Sequence, residues 1–208
     1  ATTVGNISLT SGGAMTLGAD ADMLDEATTV GNLTLDADLA AASIRLGAFA
    51  AATTVGNITF TGNVGSIDWD GAPVATTIGN VSGAVAQGET VDLTDDADTM
   101  GTTGGTMGTT TVTGGGTFNM DVGAVTSLGT IDLSGMNASG ATSTINLNNT
   151  TTVGITYTGG HGTDTLVATG GADTITGGLG ADTITGGNGA DNIDLTESTA
   201  AADTVIIN

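Results

Sequence analysis

Apolar residues in this chain come in short alternating runs, and the runs recur. Val4 and Ile7 in ATTVGNI return as Val30 and Leu33 in ATTVGNL, as Val55 and Ile58 in ATTVGNI, and as Ile78 and Val81 in ATTIGNV. Diverged copies follow as VTSLGTI at 125–131 and TTTVGI at 150–155. Units begin at 1, 27, 52, 75, 125 and 150, and the widest gap holds a degenerate Gly/Thr-rich coil near Met100. Each unit has a second alternating run: Met15–Leu17, Ser43–Leu46, 66–69, Thr90–Leu93, 117–120 and 144–147. Alternation in runs this short predicts strands rather than helices. Two or three short strands in each unit of about 25 residues predict an all-β fold, a right-handed parallel β-solenoid of six to seven coils over residues 1–158.

The repeat supplies its own stacking chemistry. Val4, Val30, Val55, Ile78, Leu128 and Val153 are expected in one column, and Ile7, Leu33, Ile58, Val81 and Ile131 in a second. Gly5, Gly31, Gly56, Gly79, Gly129 and Gly154 are expected at a turn with positive φ. Asn6, Asn32, Asn57 and Asn80 follow and predict an asparagine ladder along the axis. These residues also form N-x-S/T sequons, as do Asn137, Asn148 and Asn149. The ladder is the simpler reading, because a laddered amide is shielded from a transferase. Paired threonines are expected on the outer faces.

From residue 159 the period shortens. GGHGTDTLV, ATGGADTIT, GGLGADTIT and GGNGADNID fill residues 159–194 as four nine-residue blocks in unbroken register. Each fits G-G-x-G-x-D-x-U-x, with U a large apolar residue. Glycines permit a tight turn with carbonyls facing inward, the Asp adds a carboxylate, and the last three residues form a strand. Two blocks make one coil, which stacks Asp164 on Asp182 and Asp173 on Asp191. Stacked carboxylates repel unless a cation lies between them. An all-oxygen cage suits several Ca²⁺ ions better than any softer metal. The candidate ligands are Asp164, Asp173, Asp182 and Asp191, with Gly160, Gly162, Gly171, Gly178, Gly180, Gly187 and Gly189 in the turns. One block departs from the template, since Ala168 and Thr169 replace its first two glycines and are expected to weaken one site. After Asp194 the register is expected to fail, and residues 195–208 to form a closing strand.

Charge sharpens the picture. The chain has 22 acidic residues against one Lys or Arg, a net charge of -21. That excludes nucleic acid and anionic membrane as partners and calls for divalent counter-ions or high salt. There is no cysteine, so neither disulfides nor thiolate metal sites are available. No apolar stretch is long enough for a membrane-spanning helix, so no direct membrane insertion is expected. Without calcium, residues 159–208 are expected to be disordered. Further acids cluster at Asp20, Asp22, Asp25 and Glu26, at Asp68 and Asp70, and at Asp95, Asp96 and Asp98, with Asp36 and Asp38 earlier in their coil. Each cluster is either a solvated acidic edge or a further calcium site. Asp20, Asp22, Asp95, Asp96 and Asp98 are the stronger candidates for the second reading.

The nonads resemble the RTX (repeats-in-toxin) β-roll of bacterial secreted proteins, closely over 159–194. The resemblance implies a calcium-dependent roll, type I export without a cleaved leader, and a secreted, extracellular or cell-surface place in a bacterium. The chain begins inside a repeat without Met, which is expected of a processed or partial chain. That family includes toxins, proteases, lipases, adhesins and surface-layer proteins, so the roll alone names no activity.

Catalysis is not expected. His161 is the sole histidine, at a variable turn position, and the aromatics are Trp69, Tyr157, Phe49, Phe60 and Phe118. The common nucleophiles and oxyanion devices are absent. Paired carboxylates of glycan hydrolases usually come with basic and aromatic sugar-gripping groups, which are scarce here. Three roles remain. The first is a self-assembling surface-layer lattice or filament subunit, whose partners are copies of itself and possibly a cell-surface polysaccharide. The second is an adhesin or binding module with threonine ranks as its face. The third is the secretion and folding module of a larger toxin or enzyme.

Overall fold

The computed structural model describes residues 2–10, 15–17, 27–38, 43–46, 54–63, 65–68, 77–93, 104–147 and 152–207. Among these residues there are only strands, turns and bends, and all strand ladders are parallel. Alternation does what the sequence predicts: in Thr117–Asp121, Phe118 and Met120 are buried while their neighbours are half-exposed.

Three sheets wrap the core. The first has six strands, from Thr2–Val4 to Ser127–Leu128. The second has nine, from Ile7–Thr10 to Asn192–Asp194. The third also has nine, from Met15–Leu17 to Thr204–Ile206. The chain visits the sheets in turn and then starts the next coil, which is a parallel β-solenoid.

The columns follow the repeat, with two corrections. Val4, Val30, Val55 and Ile78 stack as expected, and Met107 then fills the place before Leu128. The Gly/Thr-rich coil thus hides a full rung, whose ladder step from Asn80 to Thr109 takes 29 residues. Val153 does not join this column. It lies beyond the last strand of the first sheet, half-buried against the core. The second column runs Ile7, Leu33, Ile58, Val81, Thr110, Ile131 and then on through Tyr157, Ile175 and Ile193. Thr110 is fully buried in this apolar rank, with its hydroxyl near the Met120 sulfur. Phe60 and Phe118 stack across the core with centroids 6.2 Å apart. Each buried Val, Leu or Ile contributes roughly 1.5–3 kcal/mol. Phe49 and Trp69 lie outside the described residues.

The asparagine ladder is present, in a particular form. The backbone N–H of Asn32 donates to Asn6 Oδ1, that of Asn57 to Asn32 Oδ1, and that of Asn80 to Asn57 Oδ1, each at 2.9 Å. Among the described residues the ladder engages the side-chain oxygens, and the four asparagines are exposed. Shielding of the amide is therefore not what the ladder provides. The preceding glycines also have another role than the one expected. None of Gly31, Gly56 and Gly79 has positive φ. A Cβ there would meet the ladder oxygen of the previous coil at 2.5–2.6 Å, whereas one at Gly5 meets nothing within 4 Å. Close approach, not turn handedness, demands glycine at this corner.

The first sheet ends at Ser127–Leu128, while the other two continue unbroken through the nonads. A three-sheet coil thus becomes a two-sheet coil where the repeat shortens, and the roll grows directly on the solenoid.

Candidate metal centre

Each nonad folds as its residues dictate. The apolar U residues Leu166, Ile175 and Ile184 are buried, and Ile193 is half-buried at the last rung. They pull the strands Thr163–Val167, Thr174–Thr176, Thr183–Thr185 and Asn192–Asp194 onto the core. Between strands the turns pass close beneath one another. Gly178, Gly180, Gly187 and Gly189 have φ of +105°, +115°, +86° and +121°. A Cβ on them would strike the carbonyl oxygens of Gly160, Gly162, Thr169 and Gly171, respectively. Main-chain oxygens are thereby aimed along the axis into the next turn.

The aspartates stack as the 18-residue spacing predicts. Asp164 N–H donates to Asp182 Oδ1 at 2.9 Å, and Asp173 N–H to Asp191 Oδ1 at 3.1 Å. Asp164, Asp173 and Asp182 are each only 2 % exposed. Burial pushes the carboxyls of Asp164 and Asp173 above the usual range, against the donors that hold them. Asp182 is pushed up to about 7, first by burial and then by the like charges of Asp164, Asp203 and Glu197. The Tyr157 hydroxyl is driven well above its ordinary value by burial and by Asp164. His161 is exposed at its turn.

Two acidic residues beyond the nonads join the same edge. Asp203 Oδ1 accepts the N–H of Asp182 at 3.0 Å, repeating the Asp182–Asp164 contact with a step of 21 residues. The strand Thr204–Ile206 pairs with Thr183–Thr185, so the sheet continues past Asp194. Glu197 Oε2 accepts the N–H of Gly180 at 3.0 Å, and Oε1 accepts that of Ala201. The nine-residue register does break after Asp194, as expected, but the strand pairing and the aspartate contact continue past the break. The signal was DTVI at 203–206, beside DTIT and DTLV in the nonads. The glycines that advertise a block are absent there, and three residues are inserted before it.

Ala168 and Thr169 do not simply subtract from a site. Both are 2 % exposed, and Thr169 Oγ1 lies 2.7 Å from Asp173 Oδ1 and close to the carbonyl oxygen of Val153. Of the other candidate residues, Asp20, Asp22, Asp25, Glu26, Asp70, Asp95, Asp96 and Asp98 lie outside the described residues, and no side-chain surroundings are described for Asp38 or Asp68. Asp36 accepts the hydroxyl of Thr61 at 2.9 Å, one coil away. Asp121 accepts Asn146 Nδ2 at 2.9 Å with one oxygen while the other is buried without a partner, and burial raises its carboxyl.

The donor set fits a hard divalent cation. It offers carboxylate and carbonyl oxygens, no sulfur, and buried negative charge in need of compensation. Among the described residues no three carboxylates or imidazoles gather closely enough to hold an ion by themselves. An ion in the turns would therefore depend on main-chain carbonyls as much as on aspartates. Residues 158–193 match the RTX calcium-binding nonapeptide repeat family, in four copies. Repeats of this family bind calcium, several ions to an array. No curated protein and no solved structure matches the chain.

Proposed function

From a chain that carries an RTX calcium-binding β-roll on the end of a parallel β-solenoid, we propose an extracellular, non-catalytic structural protein. In calcium it assembles with copies of itself as a surface-layer lattice or filament subunit. RTX repeats are typical of secreted bacterial proteins, which agrees with this location. In this reading Asp164, Asp173, Asp182 and Asp191 supply carboxylates, and the turns at Gly160, Gly162, Gly171, Gly178, Gly180, Gly187 and Gly189 supply main-chain oxygens. Calcium between coils cancels the repulsion of stacked aspartates and fixes the turns.

One observation carries the assembly reading. Val205, Ile206 and Ile207 are the exposed large apolar residues among those described, at 40, 44 and 89 % exposure, and all three sit on the last strand or beside it. They border an open cleft with the Gly186–Gly189 turn, Asp191 and Ile193. An apolar strand edge next to an uncovered calcium turn is a surface suited to another coil. Negative-stain microscopy and light scattering in millimolar calcium test this. Ordered polymers that disperse in chelator are expected, and monomers alone at that calcium concentration overturn the reading.

A second reading, a binding module, has its own support. Exposed or half-exposed hydroxyls form regular ranks, such as Thr34, Thr59, Ser82 and Thr111 on the second sheet. Binding of a cell-surface polysaccharide by the monomer, lost when Thr34, Thr59 and Thr111 become Val, would favour it over assembly.

A further inference from the structure

The two ends of the carboxylate columns are built differently. In the third sheet one inward column runs Val91, Phe118, Ser143 and Asp164 by strand register, and Asp182 and Asp203 extend it through their backbone contacts. The apolar rank of the solenoid thus becomes a carboxylate rank by way of one hydroxyl. Ser143 is 2 % exposed, and its Oγ donates to Asp164 Oδ1 at 2.7 Å, with the Tyr157 hydroxyl 3.4 Å away. Just before the strands of the second sheet the corresponding rank is Ile155, Asp173 and Asp191. There the hydroxyl comes from Thr169, at 2.7 Å from Asp173 Oδ1.

Donor supply follows the same gradient. Asp164 is held by Ser143 Oγ, by the Ser143 main chain and by Gly160 N–H at 2.7 Å. Asp173 is held by Thr169 Oγ1, by Ile155 N–H at 2.9 Å and by Thr169 N–H at 3.1 Å. In the described structure Asp182 has a single donor, the N–H of Asp164, and Asp191 likewise has only the N–H of Asp173. Hydrogen bonds to a charged carboxylate are worth about 1.5–3 kcal/mol each, so three donors offset much of the cost of a buried negative charge. One does not.

We propose that Ser143 and Thr169 are neutral hydroxyl caps that close the two carboxylate columns against the solenoid and hold the first roll coil, 159–176, in place without calcium. The solenoid then serves as a template. Its continuous second and third sheets present a formed edge, the capped coil sits on it unaided, and only the coils beyond Asp173 need the ion to fold. Ordering by calcium proceeds outward from residue 177. Both first turns rest on solenoid segments, at Met136 and Ala141 for one and at Val153 for the other; Ser143 supplies the hydroxyl to the first, and Thr169, which breaks the glycine template, supplies it to the second. These are positioning residues, and the inference rests on the calcium array and not on assembly.

Hydrogen exchange on the full chain, read peptide by peptide in calcium and in chelator, tests it. In chelator, amides of 159–176 are expected to stay protected as those of the neighbouring solenoid do, while those of 177–206 exchange at least about tenfold faster. Equal loss of protection in both segments overturns the proposal. The double variant S143A/T169G restores the template glycine and removes both hydroxyls. It is expected to lose protection of 159–176 in chelator and to regain it in calcium, and unchanged protection in chelator overturns the proposal. T169S keeps a hydroxyl and is expected to behave as the parent. The parent comparison stands even where the double variant fails to fold.

Discussion

Burial and like charge meet at Asp182, whose carboxyl sits near 7 without a metal, by burial first and then by Asp164, Asp203 and Glu197. An unfolded Asp titrates at about 4. Between those values the folded metal-free chain holds a proton that the unfolded chain has released. The group therefore favours the metal-free fold below about pH 4, and this contribution is lost as pH rises through about 7. Asp164 and Asp173 are raised too and act in the same direction. Metal-stripped protein is expected to melt at a lower temperature at about pH 8 than at about pH 5, and to bind calcium more tightly at the higher pH, where no proton competes. A melting temperature and an affinity that ignore pH contradict this. Glycine gives a second test at the same scale. Gly180→Ala places a Cβ against the Gly162 carbonyl at φ +115°, a conformation that alone costs about 1–3 kcal/mol. Calcium affinity and melting temperature are expected to fall together. Gly140→Ala, where a Cβ meets nothing within 4 Å, is expected to change stability by less than about 0.5 kcal/mol.

Among the elements, the strands of the second and third sheets carry the largest buried side chains, Tyr157 and Phe60 on the second and Phe118 on the third. Phe118 is fully buried and stacks on Phe60 at 6.2 Å. Phe118→Ala is expected to destabilise the solenoid by about 3–5 kcal/mol, read in denaturant unfolding at saturating calcium. A loss below about 1 kcal/mol would mean that the core closes over the gap. The element scale also shows what the sequence made legible. Strands announced by Val or Ile beside GN fall where alternation puts them, because one buried column fixes the register of every coil. The coil expected near Met100 has its rung at Met107, which could not be placed because its apolar positions are a Met and a buried Thr110 among glycines and threonines. The strand expected at 144–147 starts earlier, at Thr142. There Thr142 and Ser143 pair with Thr117 and Phe118, a polar pair on an apolar strand that hydropathy alone does not align. The aspartate stack was legible because its spacing is strict. Ser143, Thr169, Glu197 and Asp203 were not, because their roles arise only when coils of different length are laid on one another.

At the scale of the whole molecule, two regimes of stability share two continuous sheets. The described part of the solenoid is held by apolar columns and main-chain ladders. The outer roll carries the buried Asp182, with one donor, beside the half-exposed Asp191 and Asp203, and in this proposal it needs calcium. Because each coil contacts only its neighbours, such an array can lose its outer coils without losing the rest. Circular dichroism in chelator is expected to keep most of the β signal, and complete loss would tie the solenoid itself to calcium. The central claim is that calcium sits among the stacked aspartates, and calorimetric calcium titration of the full chain against D173A/D182A tests it most directly. Fewer ions bound per chain by the variant is the expected result. The same number bound with the same affinity would contradict the account.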